Sequence, residues 1–218
     1  MLCCGAAPSA AGEITGNIGL ASEFMYRGVA QSFGPAVQGG VDYVHGSGLY
    51  AGAWLSNTNY PGGDGKQVRC ENDLYGGWAA DLGALHLDLG LTNYRFSNDR
   101  GLDTLEFSAL AGAQGASLLL AYTRAYFGSG EPGAYGEAAL GWDLREKLRL
   151  DATGGYSWGR GPQNVFGENY VSYGLSLGMQ ISAAEKVRLS LLGSDLDRSD
   201  VPEGRARLVL DYLYEFGL

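Results

Sequence analysis

Residues 205–218 read RARLVLDYLYEFGL, and their alternation decides the fold. Ala206, Leu208, Leu210, Tyr212, Tyr214, Phe216 and Leu218 fall on one face, while Arg205, Arg207, Asp211 and Glu215 fall on the other with Val209, Leu213 and Gly217. A repeat of two marks a strand, whose successive side chains point to opposite faces. A strand of this length with one unbroken apolar face suffices to cross a bilayer at a tilt of roughly 45°.

The same pattern recurs along the chain. Ile14, Gly16, Ile18, Leu20, Phe24 and Tyr26 oppose Thr15, Asn17, Glu23 and Arg27; Leu85, Leu87, Leu89 and Leu91 oppose His86, Asp88, Thr92 and Tyr94. Leu105, Phe107, Ala109, Ala111 and Ala113 oppose Glu106, Ser108 and Gln114. Comparable segments run over 37–44, 71–80, 118–126, 134–144, 148–157, 169–180 and 187–194. In 49–56, Tyr50 and Trp54 compete with Leu49, Ala51, Ala53 and Leu55 for the outer face. The spacing predicts about twelve strands.

Connections near 45–48, 81–84, 115–116, 145–147 and 182–185 are of hairpin length, roughly two to four residues. Those at 29–36, 57–69, 97–103, 128–133, 160–168 and 195–203 are longer and rich in Gly, Pro, Asn and Asp. Short and long alternate, which is the arrangement of a membrane barrel with short periplasmic turns, longer external loops and both termini on the turn side. A lipocalin-like barrel also alternates, with its apolar face inside. Three features favour the membrane form: a twelve-strand interior is too wide for Ala, Gly and Leu to fill, the last strand closes the chain, and aromatics gather toward strand ends. The girdle candidates are Tyr26, Tyr43, Trp78, Trp142, Tyr156, Trp158, Tyr212 and Phe216.

Composition agrees. Apolar residues make up 45% of the 218 positions, yet no stretch approaches the roughly 18 consecutive apolar residues of a spanning helix. Glycine, at 36 residues, far exceeds the usual share of about 7% and suits curved, closely packed strands. The net charge of −9 argues against a nucleic-acid partner, which needs a basic surface. Residues 1–11, MLCCGAAPSAA, have the apolar run and small residues of a secretory signal cleaved after Ala11, but no positive n-region, so they read as a truncated remnant preceding a single barrel domain over 12–218. Cys70 then stands alone, without an internal disulfide framework.

The string GNIGLASEFMYRGVAQSFGPAVQGGVDYVHGSGLYAGAWLSN from Gly16, followed by ENDLYGGW over Glu71–Trp78 and more loosely by AYTRAYFG over Ala121–Gly128, resembles a proteobacterial outer-membrane porin family called TorF-like. The resemblance implies an outer-membrane location and a channel role, and supplies no site residues.

With the apolar faces in lipid, the polar faces line a lumen. Asp42, Asp73, Asp88 and Glu106 come from the middle strands; Arg149, Arg188, Arg205, Arg207 and Asp211 come from the last four, which close beside Arg27 on the first. These ten are the candidate pore-lining residues. An acidic wall would face a basic one, with Arg27, Arg205 and Arg207 forming a patch at the external end; the charges either line an open pore or pair across it and plug it.

No catalytic set emerges. The only histidines, His45 and His86, sit near tight turns on different faces, where neither an acyl-transfer site nor a transition-metal site is built. Asp195, Asp197 and Asp200 lack the Gly and terminal Glu of a calcium loop and read as a solvated external loop. The loop 57–69 is the longest, and constriction and surface epitope are both open to it. The sequence therefore predicts an all-β transmembrane antiparallel up-and-down barrel in a Gram-negative outer membrane. It would pass small polar solutes or ions without a cofactor. Its partners are lipid and the insertion machinery that reads Tyr214, Phe216 and Leu218. A structural or adhesive barrel plugged by charge pairs is the alternative, and oligomeric state is left open.

Overall fold

In lipid no water is available to unpaired backbone groups, so a spanning sheet must close on itself. A computed structural model describes residues 12–62, 65–196 and 201–218; the segment 1–11, read above as a signal remnant, and Asp197 and Asp200 lie outside the described residues. The chain forms β1 (Glu13–Ala21), β2 (Met25–Tyr26), β3 (Val29–Ala30), β4 (Ala36–Val44), β5 (Leu49–Pro61), β6 (Gln67–Leu82) and β7 (Leu85–Phe96). There follow β8 (Thr104–Ala113), β9 (Ala116–Thr123), β10 (Gly133–Arg145), β11 (Leu148–Trp158), the short helix α1 (Arg160–Phe166), β12 (Tyr170–Gln180), β13 (Glu185–Ser194) and β14 (Arg207–Gly217).

Twelve of these strands make one closed antiparallel barrel, each beside its sequence neighbour, with β2 and β3 left over as a separate small hairpin. Strand β14 closes the wall on β1 in a register running from Thr15 opposite Gly217 to Ala21 opposite Asp211. The short connections gather with Glu13 and Leu218 at one end and the long ones at the other.

Register fixes which face looks out. Leu189 pairs with Leu210 and Leu191 with Leu208, and all four are at least 43% exposed. Burying one such side chain is worth about 1.5–3 kcal/mol, so a surface built of them belongs in hydrocarbon. Tyr43, Trp78, Trp142 and Tyr214 ring the turn end, and Tyr122, Trp158 and Tyr173 the loop end. Tyr156 stacks on Trp158, and Tyr214 on Phe216.

Three sequence readings change. Leu49, Ala51, Ala53 and Leu55 pair with the outward rows of β4 and β6, which turns Tyr50 and Trp54 inward. The first strand ends at Ala21, not Tyr26; Phe24, Tyr26 and Arg27 leave the wall, and Tyr26 packs against Tyr94 inside instead of joining a girdle. Strands β5 and β6 run on through most of 57–69, so this segment neither constricts the lumen nor forms a long loop.

Placing a cation on this outer face should cost stability by depth. Leu189→Arg, in mid-strand, should lose about 2–4 kcal/mol and Leu208→Arg, near the rim, about 0–1, read from urea unfolding of the protein refolded in vesicles.

Candidate functional site

The lumen differs along its axis. Toward the turn end the inward side chains are partly exposed and polar. Tyr50 donates its hydroxyl to Asp88 Oδ1 at 2.7 Å, and Tyr75 donates to Asp42. Both rings reach these carboxylates by lying across the wall where a neighbouring strand has no side chain. A Cβ at Gly52 would come within 2.5 Å of the Tyr75 ring, and one at Gly77 within 2.5 Å of the Tyr50 hydroxyl. Glycine here makes room for aromatic side chains that hold acids in place.

The expected basic wall is neutralised where it stands. Arg149 bonds Asp151 at 2.8 Å and Asp143 at 3.1 Å. Arg188 reaches Asp211 at 3.3 Å, and Arg207 reaches Glu23 at 3.4 Å. Arg205 lies ahead of β14 and is exposed, so it does not belong to the closing strand. Of the patch expected of Arg27, Arg205 and Arg207, Arg27 is taken up by Glu106 at 2.7 Å and Arg207 by Glu23. His86 pairs with Asp81 at 2.8 Å, and His45 bonds Ser47 within its turn. Asp195 accepts the Val171 amide at 2.7 Å and so pins a loop.

Toward the loop end the inward side chains are buried. Glu71, Asp73, Thr104, Glu106, Thr123, Tyr135, Ser157, Tyr170, Ser172 and Ser194 are each no more than 9% exposed. They are covered by the connection from β1 to β4, which folds into the barrel as the β2–β3 hairpin. Its two-residue turn, Arg27-Gly28, has φ of 48° and 77°, the positive pair that suits a tight hairpin.

Arg27 reaches the far wall. Its guanidinium meets Glu106 with both oxygens, Nη1 to Oε2 at 2.9 Å and Nη2 to Oε1 at 2.7 Å. Its Cζ lies 4.2 Å from the Tyr135 ring centre and 4.7 Å from that of Tyr26. The Tyr26 hydroxyl donates to Tyr94, whose own hydroxyl lies 3.3 Å from Glu106. Burial pushes the Tyr26 phenol well above its usual range, which keeps its proton in place for that bond. Phe127, from the connection after β9, meets Tyr26, Tyr94 and Phe96 edge to face. Across the barrel, Val29 packs with Tyr170 and Leu196 beside Phe166 and Val201. The base of the hairpin is tied by Gln31 N–H to Phe24 O at 2.7 Å and Phe24 N–H to Ser32 Oγ at 2.8 Å. The lumen is thus a cup, polar and partly exposed at the turn end and filled at the loop end by a hairpin, not by charge pairs of the wall.

Residues 5–199 match a family described as "Bacterial protein of unknown function (Gcw_chp)". The chain belongs to the Gcw_chp family. No curated relative matches by sequence. Among solved structures, a KdgM porin superposes with a TM-score of 0.63 at 8% identity, covering 93% of this chain and 99% of that one. A NanC porin gives 0.58 at 9% over 94% and 100%. An outer membrane channel from Pseudomonas putida F1 gives 0.54 at 12% over 99% and 100%. At these identities the likeness is one of fold: this Gcw_chp chain has the barrel architecture of outer-membrane porins.

The hairpin turn tolerates little. Gly28→Ala would place a Cβ 2.3 Å from the Gly193 carbonyl at a φ of 77°, adding strain of about 1–3 kcal/mol. The hairpin should unseat while the barrel persists, and trypsin should then cut after Arg27, which is buried in the wild type; equal protection in both proteins would refute this.

Proposed function

We propose that the chain is an outer-membrane channel for small polar solutes and ions, with a preference for cations. The observation that carries this is the partly exposed, polar half of the lumen. There Asp42 and Asp88 are held by phenols and not by cations, whereas Arg149 and Arg188 are each neutralised by an adjacent carboxylate. A field set by unneutralised carboxylates concentrates cations and excludes anions. The strings at Gly16 and Glu71 that resemble the TorF-like porin family support the same reading. A KdgM porin has been solved with oligogalacturonate, a polyanion; the carboxylates of this lumen point away from such a solute. Of the proposed pore-lining residues, Asp42, Asp88, Arg149, Arg188 and Asp211 would meet a solute in the cup, while Asp73, Glu106 and Arg27 lie beneath or within the hairpin. Arg205 and Arg207 sit toward the loop end.

The buried loop half supports a second reading, a structural or adhesive barrel that never conducts. Planar-bilayer recording decides between them. In a KCl gradient the refolded protein should show a reversal potential on the cation side, and Asp42→Asn with Asp88→Asn should move it toward zero. Absence of current above the lipid background, both in the wild type and after replacement of 24–31 by a Gly-Ser linker, would overturn the channel reading.

A further inference from the structure

Arg27 belongs to a loop, yet its surroundings are those of a bound ligand. The wall supplies a carboxylate in fork-to-fork geometry, Glu106, and an aromatic face, Tyr135, with a phenol, Tyr94, beside the carboxylate. Planar bidentate pairing and stacking on a ring are the two contacts that distinguish a guanidinium from an ammonium. The wall around the seat carries more acid than Arg27 answers. Asp73, cross-strand neighbour of Tyr94, is buried with its Oδ1 lacking a hydrogen-bond partner among the described residues, and Glu71 is buried one position along the same face. What fills the seat is only the tip of a hairpin whose strands are two residues each. Such a hairpin has no stability of its own outside a packed context.

The geometry points to a guanidinium-binding site in the barrel wall, built by Glu106, Tyr135 and Tyr94 and occupied in this structure by the chain's own Arg27. The β2–β3 hairpin is then a tethered competitor: a solute bearing a guanidinium takes the seat, the hairpin swings out, and the loop end of the lumen opens. The inference deepens the channel reading and rests on it. A short tether presents Arg27 at a millimolar effective concentration, so a free competitor must match that. Tetramethylammonium, equally charged but unable to donate two parallel hydrogen bonds, should not.

The test is planar-bilayer conductance of the full chain at constant ionic strength, with about 20 mM guanidinium chloride, above the effective concentration of the tether, replacing sodium or tetramethylammonium chloride. Wild-type conductance should rise several-fold with guanidinium alone. Arg27→Ala and Glu106→Gln should conduct at the raised level without it and respond no further. Arg27→Lys, which keeps the charge and loses the fork, should also leave the seat, and heat-modifiable migration on gels checks that each variant has a folded barrel. A wild type indifferent to guanidinium, or an Arg27→Ala barrel as closed as the wild type, overturns the inference. If the barrel with 24–31 replaced by a linker still conducts in that case, the channel reading stands; if it is silent, both fall.

Discussion

Every backbone group in the wall must find its partner in the wall, because hydrocarbon offers none. That constraint makes the pairing of β1 with β14 the condition for everything else, since an open edge would expose a full row of amides and carbonyls. Closure then imposes the inside-outside alternation: once the seam is in register, each apolar row faces lipid and each polar row is confined to a space too wide for wall side chains to fill. The chain meets this second problem differently at its two ends. Near the turns, the space is lined by carboxylates held by phenols. Near the loops, the connection after β1 is drawn in to fill it.

The energetic logic of the filled end follows from charge burial. Glu106 is 4% exposed and faces the interior, and it would be costly there without a cation. Arg27 answers it with both arms, and loss of either partner from such a pair typically costs about 3–5 kcal/mol because the other is left buried alone. The wall does not depend on this pair, being held by continuous ladders of backbone hydrogen bonds. The hairpin does. Two parts of one chain thus differ in what secures them, which is why one can move without the other.

Most of the wall was legible in the sequence to within three residues, with β1, β5 and β6 further off, because a repeat of two is a local property. The alternation of short and long connections gave its topology for the same reason. Local pattern failed where a side chain suits both environments, as with Tyr50 and Trp54, whose direction is set by Leu49, Ala51, Ala53 and Leu55 at the alternate positions. It failed again at 23–30, where Glu23, Phe24, Tyr26 and Arg27 continue the alternation of β1 although the chain has left the wall. The overlooked signal was Arg27-Gly28 between Tyr26 and Val29, a two-residue turn with a glycine. The partner of Arg27 was beyond reach, since nothing near Glu106 marks it as the acid that meets a loop 79 positions earlier. The pairing of Arg149 with Asp143 and Asp151 was hidden likewise: sequence shows signs of charge, not which charges cancel.

The seat of the hairpin is assembled from Tyr94 on β7, Glu106 on β8, Tyr135 on β10 and Gly193 on β13, whereas the hairpin itself follows β1. Only a sheet that already runs from β7 to β13 contains it. Contacts of such sequence separation form late, because loop closure must precede them. Seating of Arg27 therefore waits until most of the wall is built.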